Sequence, residues 1–113
     1  MHEVSLMQDT LTLAEQRAKA AHAERIHCLR MRVGALSGAV PESLEFAFEI
    51  LAKGTMAEGA TLRLERVPIV CFCPTCEREF PAPDLYCECP GCHQVSLDIR
   101  QGRELELASL EVS

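Results

Sequence analysis

Six of the seven cysteines lie between residues 71 and 92, in two copies of the pattern Cys-x-Cys-Pro-x-Cys. Each copy contains a Cys-x-x-Cys pair, Cys73/Cys76 and Cys89/Cys92, and twelve residues separate the two pairs. A hairpin of that length brings four thiolates to the corners of a tetrahedron, which is the geometry of a structural zinc site. These four cysteines are therefore the predicted zinc ligands.

Three residues close to the two pairs could also bind the zinc ion. Cys71 and Cys87 each stand two residues before a pair, and His93 directly follows Cys92. The tighter Cys-x-x-Cys spacing favours the pairs as ligands, so we expect Cys71 and Cys87 to be spare thiols that pack as small apolar side chains. We interpret His93 as a solvated loop residue, with zinc ligation as the alternative.

Disulfide bonding and redox catalysis are the other uses of clustered cysteines. The odd number of cysteines and the lack of an opening basic and apolar signal segment argue against a disulfide framework and favour a cytoplasmic location. A thioredoxin-type Cys-x-x-Cys would begin a helix within a strand-helix-strand unit, whereas both pairs here contain proline. We therefore expect reduced thiols.

Charge and composition exclude two classes of partner. The formal net charge is −6, the basic residues form no run, and only five residues are aromatic. Binding to the phosphates of nucleic acid needs a positive surface, and binding to single-stranded nucleic acid also needs aromatic side chains that stack on the bases. Nucleic acid is therefore not an expected partner. No apolar run approaches roughly 18 residues, so no membrane span is expected.

The rest of the chain alternates between helical and strand periodicity. Apolar residues recur at spacings of three and four within residues 5–22, which predicts a helix, whereas residues 26–33 alternate with period two, as a half-buried strand does. Pro41 suits the first turn of a second helix. Alternation returns over residues 60–69 and again after Gly102, which predicts two more strands.

This element order predicts an α+β fold, in which two helices cover a three-stranded mixed sheet and a zinc-ribbon-like subdomain is inserted before the last strand. We expect the first two strands to be parallel and the last to pair antiparallel with the strand that enters the insert. The predicted domains are an α+β domain, residues 1–69 plus 101–113, and a zinc-binding insert, residues 70–100. An exposed sheet edge would permit a homodimer.

The first residues of the chain, Met1, His2 and Glu3, contribute nothing evident to the core and predict that the α+β domain, residues 1–69 plus 101–113, is a nickel-binding domain. The α-amine of Met1, the backbone nitrogen of His2 and its imidazole can chelate one ion through fused rings, and the amide or carboxylate of Glu3 can add a fourth donor. Nitrogen-rich tetragonal sites suit Ni(II) and Cu(II). On the residues alone, a disordered surface histidine is the commoner case.

The whole chain resembles the HypA/HybF family of hydrogenase nickel-incorporation proteins. The resemblance rests on the opening Met-His-Glu, the loop from Gly34 to Glu42, the two Cys-x-x-Cys pairs, and the closing segments Gly102-Arg103-Glu104-Leu105 and Leu110-Glu111-Val112. It implies a nickel metallochaperone that delivers Ni(II) to the maturing large subunit of a [NiFe]-hydrogenase and works with the HypB GTPase.

The resemblance also implies roles for individual residues. His2 matches the family's nickel ligand and Glu3 lies beside it, whereas the family's zinc cysteines match Cys73, Cys76, Cys89 and Cys92. The chain departs from the family pattern after each pair, where Glu77 and His93 replace the common glycine. Cys71 and Cys87 are additional.

No nucleophile with a recognisable base and no phosphate-binding loop is evident, so an enzyme is not expected. Two other functions stay open alongside the nickel carrier. One is a zinc-ribbon adaptor protein without a nickel role. The other is a thiol redox sensor that uses Cys71 and Cys87.

Overall fold

The computed structural model describes the chain from His2 to Ser113, and its side chains from Glu3 onward. The described residues form two helices and eight strands, which are α1 His2–Ala20, β1 Ile26–Gly34, α2 Pro41–Leu51, β2 Thr61–Val67, β3 Ile69–Cys73, β4 Arg78–Ala82, β5 Cys87–Glu88, β6 Val95–Ser96, β7 Asp98–Gln101 and β8 Leu105–Val112. Among these residues, no helix is long and apolar enough to cross a membrane.

The chain divides into two compact units. The first, which we call the helical unit, contains the residues up to Arg32, Ala39–Glu65 and Glu106–Ser113. The second, the cysteine unit, contains Val33–Gly38 and Arg66–Leu105. The functional division into a nickel-binding domain and a zinc-binding insert stays a prediction.

The predicted three-stranded mixed sheet is confirmed, with the strand order β2-β1-β8. The amide of Ile26 donates to the carbonyl of Met56, and the amide of Ala35 donates to the carbonyl of Val67. Both partners advance along the chain in the same direction, so β1 and β2 run parallel, as expected for strands joined through a helix.

The partner of the last strand differs from the prediction. β8 lies beside β1, and not beside β2, the strand that precedes the cysteine-rich segment. Backbone hydrogen bonds join Ser113 to Arg25 and Gly34 to Glu104, so β8 runs antiparallel to β1. Six of the nine residues of β1 are buried, whereas no residue of β8 is buried. The most buried strand therefore lies at the centre of the sheet.

The two helices supply much of the core of the helical unit. Helix α1 begins at His2, three residues before the predicted start, so Ser5 lies inside the helix and does not cap it. Helix α2 begins at Pro41, as predicted. The apolar side chains that the two helices bury, at helical spacing, are Met7, Leu11, Ala14, Ala18, Leu44, Ala47 and Phe48.

Helix α1 ends in a left-handed turn at His22, which has a φ of 60°. The amide of Ala23 donates to the carbonyl of Ala18, five residues earlier, and the amide of His22 donates to the carbonyl of Lys19. This is the arrangement in which a C-terminal residue, commonly glycine, satisfies the last helical carbonyls.

The cysteine unit contains short strands that the periodicity did not predict. Pro68 separates β2 from β3, and β3 lies between β4 and β7, antiparallel to both. Strands β5 and β6 form a separate antiparallel pair. A Cβ atom on Gly34 would lie 2.2 Å from the carbonyl oxygen of Gly102, so only glycine allows this close approach.

Candidate metal centre

The four cysteines predicted as zinc ligands lie together in the cysteine unit. Cys73 ends β3 and Cys76 lies in the turn before β4, while Cys89 follows β5 and Cys92 lies in the next turn. The four Sγ atoms all lie within 4.8 Å of one another. Those of Cys73 and Cys92 are 3.5 Å apart and those of Cys76 and Cys89 are 3.8 Å apart. A tetrahedral Zn²⁺ with Zn–S bonds of about 2.3 Å has edges of about 3.8 Å, so the cluster fits a structural zinc ion.

Backbone amides point at the first sulfur of each pair. The amide of Cys76 donates to Sγ of Cys73, and the amide of Gly91 donates to Sγ of Cys89, each at 3.4 Å. Hydrogen bonds of this kind favour the thiolate form, which is the form that binds metal. The donor is the second cysteine in the first pair and the residue before the second cysteine in the other pair, so the two turns stabilise their first sulfur through amides at different positions.

The thiols of the cluster differ in acidity. Hydrogen bonds from the backbone amides of Cys92 and Gly91 lower the pKa of Cys89 to about 6, although burial acts in the opposite direction. Hydrogen bonds with the thiols of Cys89 and then Cys92 raise the pKa of Cys76 to about 12. At neutral pH, Cys89 is therefore a ready thiolate, whereas Cys76 must lose a proton to bind a metal.

Gly91 leaves room for a positive charge beside the cluster. A Cβ atom at Gly91 would lie 2.7 Å from the Nη2 atom of Arg78 and 3.4 Å from Sγ of Cys76. The guanidinium group therefore occupies the space next to this sulfur. Four thiolates and one Zn²⁺ carry a net charge of −2, which a neighbouring cation helps to balance.

The expectation that Cys71 and Cys87 are spare, reduced thiols is wrong, and so is the argument against disulfide bonding for this pair. The structure joins them by a disulfide, with their Cα atoms 6.2 Å apart, which is an ordinary separation for this bond. The two residues hold equivalent positions in the duplicated pattern, and the hairpin that brings the four metal cysteines together also brings these two face to face. That equivalence was the sequence signal that could have indicated the pairing.

The two positions after the Cys-x-x-Cys pairs adopt a left-handed backbone. Glu77 has a φ of 53° and His93 a φ of 63°, in the region that favours glycine. The side chain of His93 is exposed and its Nδ1 lies 3.5 Å from a carboxylate oxygen of Glu88, so it points to a surface partner and lies outside the cysteine cluster.

Of the three residues predicted to bind nickel, the structure describes the side chain of Glu3 alone. Met1 and the side chain of His2 lie outside the described residues. Glu3 is 8% exposed, and its carboxylate accepts a hydrogen bond of 3.3 Å from the amide of Val40. Val40 is the N-cap residue of α2 and has no side-chain cap of its own. Glu3 therefore caps α2, a role that no local sequence signal indicated because the two residues are 37 positions apart.

Comparisons with known proteins give one consistent answer. Residues 1–112 match the profile of the family described as hydrogenase/urease nickel incorporation, metallochaperone, hypA. The hydrogenase maturation factor HypA of Picosynechococcus sp. is 51% identical over 112 residues, which are 99% of each chain. That of Chloroflexus aurantiacus is 43% identical over an alignment of 113 positions that covers 98% of each chain.

Two solution structures share the fold. The Ni metallochaperone HypA from Helicobacter pylori aligns with a TM-score of 0.68 and 27% identity, over 97% of this chain and 96% of that one. A second structure, described as HypA protein, aligns with a TM-score of 0.75 and 29% identity, over 100% of this chain and 97% of the other. The predicted fold class, with its zinc-ribbon-like subdomain, is thereby confirmed.

Proposed function

The chain belongs to the HypA family of metallochaperones for hydrogenase and urease nickel incorporation, and from this premise we propose that it carries Ni(II) at its N-terminus. The donors are the α-amine of Met1, the backbone nitrogen and imidazole of His2, and Glu3. The recipient is the maturing large subunit of a [NiFe]-hydrogenase, and a GTPase of the HypB type assists the transfer in the cytoplasm. The protein transfers a metal and catalyses no reaction.

The start of α1 at His2 is the observation that carries this proposal. The first four amide groups of an α-helix have no carbonyl acceptor within the helix. The amide nitrogens of His2 and Glu3 can therefore lose their protons to a metal without breaking a helical hydrogen bond. Deprotonated amide and imidazole nitrogens in one plane form the tetragonal site that Ni(II) prefers.

The buried position of Glu3 favours one of its two candidate donor atoms over the other. Its carboxylate is largely buried and accepts the amide of Val40. Binding nickel through that carboxylate would leave the start of α2 without its cap. We therefore assign the fourth nickel donor to the backbone nitrogen of Glu3, and to its side chain the role of fixing the first turn of α1 on α2.

We further propose that the four-cysteine cluster binds a structural zinc ion. The ligands are Cys73, Cys76, Cys89 and Cys92, and the support is the match between their sulfur separations and a ZnS₄ tetrahedron. Bound zinc ties the two turns together and contributes folding free energy to the cysteine unit. Arg78 balances part of the negative charge.

Titration of Ni(II) into protein with a free Met1 amine tests the nickel site. We expect His2→Ala to weaken nickel binding by more than about 100-fold, since even the loss of an outer residue that supports a ligand costs 10- to 100-fold. Adding one glycine before Met1 displaces the amine and should weaken binding as strongly.

His22→Gly is the matched control, because it removes an exposed histidine whose backbone conformation already suits glycine. It should leave nickel affinity unchanged, and all variants should retain one zinc and the wild-type circular dichroism spectrum. Nickel binding that survives His2→Ala would contradict the carrier and leave a zinc-ribbon adaptor as the better hypothesis.

A further inference from the structure

A second cross-link lies in the cysteine unit, beside the metal cluster. The disulfide joins Cys71 of β3 to Cys87 of β5, and both residues are fully buried. Alternate residues of a strand share one face, so Cys71 and Cys73 lie on the same side of β3. The disulfide and two metal cysteines belong to one buried apolar cluster with Ile69 and Phe80.

The disulfide and the metal cluster close overlapping loops of the chain. The disulfide joins residues 16 positions apart. The sulfur contacts of the cluster pair Cys73 with Cys92 and Cys76 with Cys89, which are 19 and 13 positions apart. Both links order the segment between the two turns. Closing a loop costs conformational entropy, so the second link to form meets a lower entropic cost than the first.

We propose that the Cys71–Cys87 bond is reversible and thermodynamically linked to the zinc site. Oxidation of this pair raises the affinity for zinc, and bound zinc makes the bond harder to reduce. Linkage requires the two effects to be equal in size. The inference rests on the zinc assignment of the proposed function and is independent of nickel.

The chemistry is thiol–disulfide exchange with a small-molecule disulfide such as oxidised glutathione. The thiolate of one cysteine attacks the small disulfide, which releases one small thiol and leaves a mixed disulfide on the protein. The second cysteine attacks this mixed disulfide, forms the Cys71–Cys87 bond and releases the second small thiol. The pair thus loses two protons and two electrons, and the small disulfide gains both to become two thiols.

Burial gives the metal kinetic control over this exchange. Both sulfur atoms lie in the core, so a small disulfide or thiol reaches them only when the cysteine unit opens. Zinc holds the unit closed and slows exchange. In the metal-free protein the bond keeps the four ligand cysteines near one another, so an emptied site is ready to bind zinc again.

The test compares the zinc affinity of two forms of the full-length chain. Zinc-loaded protein, in which the metal protects its four ligands, is incubated with oxidised glutathione until the number of free thiols no longer falls, since zinc slows the exchange. The disulfides are then mapped by alkylation and mass spectrometry. Competition with a chromophoric chelator measures zinc affinity in this form and in fully reduced protein. We expect the map to show the Cys71–Cys87 bond. The oxidised form should bind zinc about 10- to 100-fold more tightly than the reduced form, the range that closure of a loop of this length allows.

Two variants sharpen the comparison. Cys71→Ala/Cys87→Ala should bind zinc equally under both treatments, whereas Cys28→Ala, which removes a buried free cysteine of the helical unit, should retain the wild-type difference. In the wild type, saturating zinc should lower the ratio of reduced to oxidised Cys71–Cys87, at a fixed glutathione ratio, by the same factor as the difference in zinc affinity. This reciprocal measurement needs no substitution.

Equal zinc affinities in the oxidised and reduced wild type would overturn the linkage, as would tighter binding by the reduced form. A disulfide map that joins any of the four ligand cysteines would overturn it as well. Reduced protein that binds no zinc would refute the zinc assignment itself, which separates failure of the proposed function from failure of the linkage.

Discussion

The carboxylate of Glu3 is the acceptor for the amide of Val40 at the start of α2. A lost helix cap costs about 1 kcal/mol, and Val40 has no side-chain cap of its own. We expect Glu3→Ala to lower the free energy of unfolding in urea by about 1 kcal/mol. Glu3→Gln retains a carbonyl oxygen in the same place and should cost less.

The same two variants check which atom of Glu3 binds nickel. Both retain the backbone nitrogen, so Glu3→Gln, which also retains the cap, should bind Ni(II) with nearly wild-type affinity. A large loss of nickel affinity in a well-folded Glu3→Gln variant would point to the carboxylate as the donor.

The unequal acidity of Cys76 and Cys89 gives zinc binding a defined pH dependence. Near pH 7 zinc must displace the proton of Cys76, whose pKa is about 12, but none from Cys89, whose pKa is about 6. Zinc affinity should therefore fall as the pH is lowered, by about tenfold per pH unit for each proton displaced. Below pH 6 the slope should increase by one proton because Cys89 is then protonated too. Chelator competition between pH 5 and 8 would show an unchanged slope if this account were wrong.

At the residue scale, the sequence predicted those features of the site that depend only on residues close together in the chain. The four ligand cysteines lie in two tight turns, so their positions along the chain suffice to bring them together. The cap that Glu3 provides depends on how two helices meet, and the Cys71–Cys87 bond depends on how two hairpin arms face each other. Local spacing alone indicates neither arrangement, although the equivalent places of Cys71 and Cys87 in the duplicated pattern were a signal for the bond.

At the scale of elements, the turns after the two cysteine pairs adopt an unfavourable backbone. Glu77 and His93 have positive φ values, and they lie at the positions where this chain departs from the glycine of the family pattern. A left-handed conformation costs a non-glycine residue about 1–2 kcal/mol. We expect His93→Gly and Glu77→Gly each to raise the free energy of unfolding of zinc-loaded protein by about 1 kcal/mol, since part of the gain is offset by the flexibility of glycine in the unfolded chain.

His93→Ala is the matched control for this prediction. It removes the same contact with Glu88 but retains a Cβ atom, so it should give no gain in stability in the same denaturation experiment. A stabilisation equal to that of His93→Gly would assign the effect to the lost side chain, not to the backbone.

Helices were easier to predict than strands in this chain. The helical periodicity of α1 and the proline at the start of α2 are local signals, and both helices exist. Strands β5 and β6 have two residues each, too few to show alternation, and their pairing follows from the hairpin geometry. The neighbour of β8 was mispredicted because burial across the whole sheet, and not proximity along the chain, decides which strand is central.

At the scale of the whole molecule, the order of the elements was sufficient to predict an α+β fold with a mixed sheet. A helix between two strands makes those strands parallel, and few other arrangements remain for a chain of 113 residues. The extent of the cysteine unit was harder to predict. It includes Val33–Gly38, which is remote in sequence from the rest of that unit and bonds to Gly102 through the amide of Leu36.

The distribution of chromophores gives each unit its own optical signal. The chain has no tryptophan and one tyrosine, and Tyr86 lies in the cysteine unit next to Cys87, with 60% of its surface exposed. Both described helices belong to the helical unit. Ultraviolet fluorescence therefore reports on the surroundings of the cysteines, whereas ellipticity at helical wavelengths reports on α1 and α2. A single unlabelled sample can thus reveal whether the two units melt together or one after the other.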